Sequence, residues 1–348
     1  MMYKMKKLFV ILLIHILLIS SLCLVACHKH TLENIVTEAP SDTSKSAQTT
    51  STQKPTSSGT KKLKSETTTS KVTIPEELPQ LLDLDFEKYI SERLEPISEA
   101  YDLAFIEPAT GYGFQIKSEQ RLRAASSIKV FIMAATFQKI ADGKLTLDKT
   151  IAIDDSDLVG GSGIINGSGL SEISVRELIF DMMVYSDNTA SNILIAENGG
   201  LEKLNNYAKS IGCNDTHFGR LFMHESDGDE RENYTTSADL VRVLGKLSQR
   251  ELVSKEYDQQ MIDIMKEADA TLVFSEQLPQ DDVVSSYAKG GELPDSRSCV
   301  NVIETKYGTY VVAGIADHCN NESVVTAFSD IGAQIFKLYK EKGDDSER

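Results

Sequence analysis

Ser126 and Lys129 stand three residues apart at the head of an apolar, helix-patterned run, and that spacing puts both side chains on one helix face within reach of each other. The pair suits nucleophilic catalysis. A serine hydroxyl attacks a carbonyl only when a neighbour takes its proton, and a lysine desolvated near a helix start loses enough basicity to do so. Ser-x-x-Lys alone is a cheap pattern, since it recurs at Ser51, Ser58 and Ser286. The first two copies lie in a Ser/Thr-rich stretch with no apolar period. The third runs along a strand-patterned segment, where residues three apart face opposite sides. Taken by itself, Lys129 also reads as a lysine extending from an apolar helix towards solvent.

Two further clusters follow in order. Ser186-Asp187-Asn188 interrupts two helix-patterned segments, and Lys289-Gly290-Gly291 closes a strand-patterned one and precedes Glu292. Singly, Ser186 and Asp187 read equally well as helix caps. In their order and spacing the three clusters resemble the class A β-lactamases and their low-molecular-weight penicillin-binding relatives, marked by Ser-x-x-Lys, Ser-Asp-Asn and Lys-Thr-Gly. The resemblance runs from about Leu82 to Tyr339. It extends to Val159-Gly160-Gly161-Ser162-Gly163, to Tyr185 through Asn192, and to Tyr234-Thr235-Thr236-Ser237-Ala238.

That resemblance implies roles. Ser126 would attack a carbonyl, Lys129 would accept its proton, and Ser186 would relay a proton to the leaving nitrogen. Asn188 would hold the substrate amide and help position Lys129, and Lys289 would supply positive potential. Beside Gly291, the backbone N–H groups of Ser126 and Glu292 would form the oxyanion hole. Arg297 is a candidate partner for a substrate carboxylate, or simply a surface arginine. No metal or organic cofactor is called for. The implied substrate is a small β-lactam or a peptidoglycan peptide, and the protein is expected to be a monomer.

Two departures stand out. The third cluster of the family carries a hydroxyl residue where this chain has Gly290, which removes a carboxylate contact. In the loop before Tyr234, class A enzymes carry a glutamate that activates the water releasing the acyl group. Gap-free counting puts Arg220 at that loop's arginine, Phe222 at the glutamate, and Glu225 three residues late, where a shifted loop would bring it to the water. Acylation is therefore better supported than hydrolysis. The alternatives are a D,D-peptidase-type acyl hydrolase of peptidoglycan and a non-catalytic module that binds penicillin or a muropeptide.

The elements that must position these residues are legible as periods. Leu82–Ile97 is helical by spacing, and Tyr101–Glu107 and Gly113–Ile116 read as strands about a turn at Pro108–Gly111. Helical spacing then marks Ile128–Ile140, Val175–Tyr185, Thr189–Ala196, Leu201–Ser210, Ser237–Leu247 and Lys255–Lys266. Val283–Lys289, Val300–Glu304 and Thr309–Ala316 read as strands, and Glu322–Tyr339 as a closing helix. Strands from both chain ends around a helical insert predict an α/β (α+β) fold. It has an antiparallel five-stranded sheet flanked by terminal helices, plus an inserted all-helical subdomain with the site at the seam.

Composition divides the 348 residues into three parts. Residues 1–26 read as a lipoprotein signal peptide, with Lys4, Lys6 and Lys7 before an apolar run that ends Leu24-Val25-Ala26-Cys27. Cys27 would then carry the lipid and tether the protein to the outer face of a bacterial cell membrane. An uncleaved membrane helix is the alternative. Residues 27–75, dense in Ser, Thr and Lys, read as a tether that cannot offset its own ordering entropy, and 76–342 as the globular domain. A formal net charge of -16 excludes nucleic acid as a partner, because phosphate binding needs a basic face. Cys213, Cys299 and Cys319 have no metal-ligand spacing. They read as buried free thiols or, for the last two, as a bridge.

Overall fold

The computed structural model describes residues 74–75, 77–81, 83–118, 120–225, 231–268 and 272–346. Residues 1–26, most of 27–75 and the anchor residue Cys27 lie outside them. The first helix, α1 (Leu84–Leu94), is capped by Asp83, whose carboxylate accepts from the Asp85 and Phe86 amides, and it buries Phe86, Ile90 and Leu94 at a four-residue spacing. Strands β1 (Ser98–Glu107) and β2 (Tyr112–Ile116) form the first hairpin.

Much later in the chain come β7 (Val283–Leu293), β8 (Ser296–Thr305) and β9 (Gly308–Cys319), and then the last helix, α8 (Asn321–Ser346). The five strands make one antiparallel sheet in the order β2-β1-β9-β8-β7. β9 sits at its centre and is covered on both faces, so its apolar run from Tyr310 to Ala316 does not alternate with polar residues. On one face, α1 and α8 close an aromatic core in which Phe105 stacks on Phe114 and Phe274 on Phe328.

The other face carries the helical insert: α2 (Lys129–Ala141), α3 (Val175–Val184), α4 (Asn188–Glu197), α5 (Leu201–Ser210), α6 (Ser237–Ser248) and α7 (Lys255–Lys266). α6 packs on β1 and β9, with Ser237 bonded to Asp102 and Gly245 beside Ile106 of β1. α2 is apolar almost all round because it runs through the middle of the insert, buried along nearly its whole length. Two short ribbons complete the structure, β3 (Leu122–Arg123) with β6 (Tyr234–Thr235) and β4 (Thr150–Ala152) with β5 (Glu172–Ser174). Two or three residues carry no readable period, so these pairings are absent from the sequence reading.

One strand boundary changes, and one of two alternatives is selected. The strand expected to stop at Lys289 continues to Leu293, because cross-strand pairing with β8 holds Gly290 and Gly291 in the ladder up to the turn at Pro294 and Asp295. Cys299 and Cys319 are free thiols. Cys299 pairs across the sheet with Gly314, five residues from Cys319 along β9, a separation no disulfide can span.

Candidate active site

The nucleophile candidate is delivered by a short, heavily pinned segment. β3 is paired to β6, the Ala124 amide donates to the Asn233 carbonyl (2.9 Å), and the Ala124 carbonyl accepts from both Ser127 Oγ (2.7 Å) and Ser298 Oγ (2.8 Å). Ser127 thus points inward as a bracket, and Ser126 lines the cleft. Ala125 is held at φ 47°, a left-handed conformation costing about 1–2 kcal/mol for a residue with a Cβ, which the surrounding bonds sustain. A single 3₁₀ turn, Ala125–Ile128, leads into α2, and the Lys129 amide bonds back to the Ser126 carbonyl. The helix of the sequence reading therefore opens on this tighter turn.

β7 passes so close to this turn that a Cβ on Gly291 would lie 2.4 Å from the Ser126 nitrogen. Only glycine fits there. The next residue, Glu292, lines the same cleft as Ser126.

Lys129 is fully buried, and its Nζ donates to the Ser186 carbonyl (2.6 Å) and to Asn188 Oδ1 (2.8 Å), with Ser186 Oγ at 3.3 Å. Burial, and then the charge of Lys289, holds its pKa well below the ordinary lysine range; Asp187 opposes them. A neutral amine has two protons and one lone pair. The two carbonyl-type oxygens absorb the protons, which leaves the lone pair to accept from a hydroxyl.

Lys289, also buried, donates to Ser186 Oγ (3.1 Å) and to the Gly290 carbonyl (3.0 Å). Burial lowers its pKa to about 8. Ser186 Oγ therefore sits between two buried amines of lowered basicity, on a residue itself held at φ 55°. The two lysines predict a pH profile. A base must be neutral, so the rate constant of an acylation at Ser126 would rise as pH climbs through the depressed Lys129 pKa. It would fall as Lys289 loses its proton near pH 8, giving a bell-shaped profile. Lys289→Arg, which keeps its charge, should abolish the alkaline limb in stopped-flow acylation. An unchanged limb would assign it to another group.

Asp187 and Asn188 fasten a loop over this centre. The Asp187 carboxylate caps α4 at the Ala190 amide (2.9 Å) and accepts from the amides of Ile164 (2.7 Å) and Ile165 (2.9 Å). Asn188 Nδ2 donates to the Gly160 carbonyl (3.0 Å), so one side chain ties the loop to Lys129. Capping and site construction are here the same act.

The cleft in front of Ser126 encloses about 550 Å³ and is lined by Ser126, Asn188, Phe222, Met223 and Glu292 among others. Phe222 is buried, with its ring 4.5 Å from Lys129 Nζ. Its backbone is locked by Asn192, whose Oδ1 accepts from the Phe222 amide (2.8 Å) and whose Nδ2 donates to its carbonyl (3.0 Å). The Arg220–Glu232 ion pair (2.9 Å) closes the base of the same loop. Nothing in the sequence marked Glu232, twelve residues from its partner. Asn192 lay within the quoted stretch without an assigned part.

Two candidates are not brought to the centre. Glu225 is exposed and does not line the cleft, because the Asn192 clamp sets the loop register so that residue 222 faces Lys129. Arg297 opposes Glu292 in the β7–β8 ladder and pairs with its carboxylate. Lys289, Gly291 and Ser298 point towards the cleft, so alternation sends Arg297 to the other face, where it borders a separate cavity with Ser286 and Val325. Ser286 faces away from Lys289, as its strand position implied, and meets Ser275 Oγ at 2.9 Å.

Comparison with known proteins gives a consistent picture. The model of the beta-lactamase enzyme family matches residues 85–339. Beta-lactamase OXY-2 of Klebsiella oxytoca is 31% identical over 170 residues, 47% of this chain and 57% of that protein. Such alignments span about half the length of the first curated relatives. Among solved structures, the beta-lactamase of Sphaerobacter thermophilus DSM 20745 superposes with a TM-score of 0.67 at 23% identity, covering 73% of this chain and 97% of that one. A protein named PBP-A gives 0.67 at 21% identity, covering 77% and 100%. At these identities the superpositions speak to the fold.

Proposed function

The chain belongs to the beta-lactamase enzyme family, and from that premise we propose that it is a serine hydrolase that acylates itself at Ser126 with β-lactam amides and releases the acyl group slowly. One observation carries the reading: a buried lysine, Lys129, faces oxygen acceptors and an aromatic ring, with no carboxylate at the position of Phe222. Ser126 Oγ attacks the carbonyl carbon as its proton passes to the free lone pair of Lys129. Negative charge building on the carbonyl oxygen meets the Ser126 and Glu292 amides, held side by side by the close packing of Gly291. Ser186 Oγ, between the two lysines, then hands a proton to the leaving nitrogen as the amide bond breaks. Hydrolysis requires a base beside the new ester, and Phe222 fills that place.

Full-length protein mixed with a chromogenic cephalosporin is expected to give one burst of colour equal to the enzyme present and then slow turnover. Intact mass should show a single adduct, located on the peptide containing Ser126. Fast steady-state hydrolysis without an observable adduct would refute slow deacylation. No adduct and no hydrolysis would refute the acyl-enzyme itself.

A peptide substrate is a second reading, favoured by the position of β7 at the open edge of the sheet beside Ser126. An extended peptide could pair with that edge as an added strand. Release of a terminal D-alanine from a stem pentapeptide would select it, and cephalosporin hydrolysis with no peptide cleavage would reject it.

A further inference from the structure

Arg123 lies three residues before Ser126, and its side chain joins three separate pieces of the structure. Its amide donates to Asp317 Oδ2 (3.1 Å) and its Nε to Asp317 Oδ1 (2.8 Å), and the Asp317 side chain at the end of β9 is only 4% exposed. Its Nη2 reaches the Asp295 carboxylate (2.9 Å) in the turn that joins β7 to β8. Asp295 also accepts the Cys319 amide at its carbonyl (2.9 Å) and contacts His318 Nδ1 (3.0 Å). Pro294 of that turn, and Glu292 and Leu293 just before it, line the cleft.

From this arrangement we infer that Arg123, through Asp295, is a positioning residue that sets the spacing between the Ser126 and Glu292 amides. The inference rests on the acyl-enzyme reading above. The two amides belong to segments far apart in the chain, and three ties hold them in register on either side. Ser298 grips the Ala124 carbonyl, Gly291 packs on the Ser126 nitrogen, and the Arg123–Asp295 pair joins the turn of the β7–β8 hairpin to the segment before Ser126. Without the Arg123–Asp295 side-chain contact the turn keeps its backbone ties, from the Cys319 amide to the Asp295 carbonyl and from Asn321 Nδ2 to the Leu293 carbonyl. Its carboxylate link to the segment that carries Ser126 is lost, and the Glu292 amide can shift relative to that of Ser126. Donors preorganised for a developing oxyanion lose much of their effect when displaced by about 1 Å.

Asp295 offers the milder variant, because its side chain is 45% exposed and its loss, which also removes the His318 contact, leaves the Arg123–Asp317 pair whole. Asp295→Ala is expected to lower the acylation rate constant about 10-fold, with the dissociation constant of the preceding non-covalent complex unchanged and the fold intact by circular dichroism. Asp295→Glu should recover most of the rate, and Arg123→Gln should lose about 100-fold. A purely structural residue would lower the melting temperature without this split between rate constant and binding. Wild-type acylation by folded Asp295→Ala overturns the inference, and so does a loss confined to binding. Amide hydrogen exchange across residues 290–295, compared between wild type and Asp295→Ala, decides the positioning independently of any acylation. Faster exchange in the variant supports it and unchanged exchange refutes it. An unlabelled wild type with this exchange difference would refute the acyl-enzyme reading and leave the clamp standing.

Discussion

Phe222→Glu is expected to shorten the lifetime of the Ser126 acyl-enzyme by about 10²–10⁴-fold, the range over which a positioned general base accelerates proton transfer. The backbone at 222 is already fixed by two hydrogen bonds from Asn192, so a new side chain starts from a defined place beside Lys129. Glutamate is smaller than phenylalanine, and the space released borders Lys129 Nζ, which with the new carboxylate offers a water molecule the polar partners it needs. The carboxylate would also raise the Lys129 pKa by stabilising its ammonium form, shifting the acid limb of acylation to higher pH. Losing a buried ring in exchange for a charged group lowers the melting temperature. Following adduct decay by intact mass after a single addition of cephalosporin measures the effect directly. An adduct as long-lived as that of the wild type would show that a base at residue 222 does not reach the ester, and slow release would then need another cause.

Lys129 carries the second large effect. Lys129→Met keeps much of the side-chain volume and removes the amine, so acylation should fall by about 10²–10⁴-fold. The Ser186 carbonyl and Asn188 Oδ1 lose their donor, a destabilisation of about 1–3 kcal/mol that a thermal melt would register. Lys129→Arg separates two explanations. A guanidinium keeps a positive charge but does not give up its proton near neutral pH, so it fails as a base and preserves electrostatic attraction. Acylation by the arginine variant should be as slow as by the methionine variant. A rate near that of the wild type would show that charge, and not proton abstraction, is what the lysine supplies.

Much of the framework could be read without coordinates. Leu201–Ser210 and Lys255–Lys266 fold as helices with the bounds their spacing predicted, and five strands were expected where five are paired. Lys129, Ser186, Asn188 and Lys289 are joined by hydrogen bonds, and Ser126 lines the cleft beside Asn188, so the three ordered clusters lie together. Errors appeared where a side chain's direction depended on something far away. Arg297 lies beyond a hairpin turn from Lys289, so its face was undefined until the pairing of Glu292 with Arg297 was known. Gly290 and Gly291 looked like a strand end because glycine favours that locally, and the ladder with β8 overrode the preference.

The sequence by itself determined which residues could do the chemistry and the order in which the chain presents them, because periodicity and motif spacing are properties of near neighbours. Counting already put Phe222 at the glutamate's place; packing removed the shifted loop that would have brought Glu225 in, since Asn192, thirty residues earlier, sets that loop's register beside Lys129. Tertiary structure alone decided that Ser186 Oγ is shared by two buried lysines, and that Arg123 ties the nucleophile's segment to a hairpin turn 172 residues away. Desolvation and long-range ion pairing have no period along the chain, so they become visible only once the segments are packed.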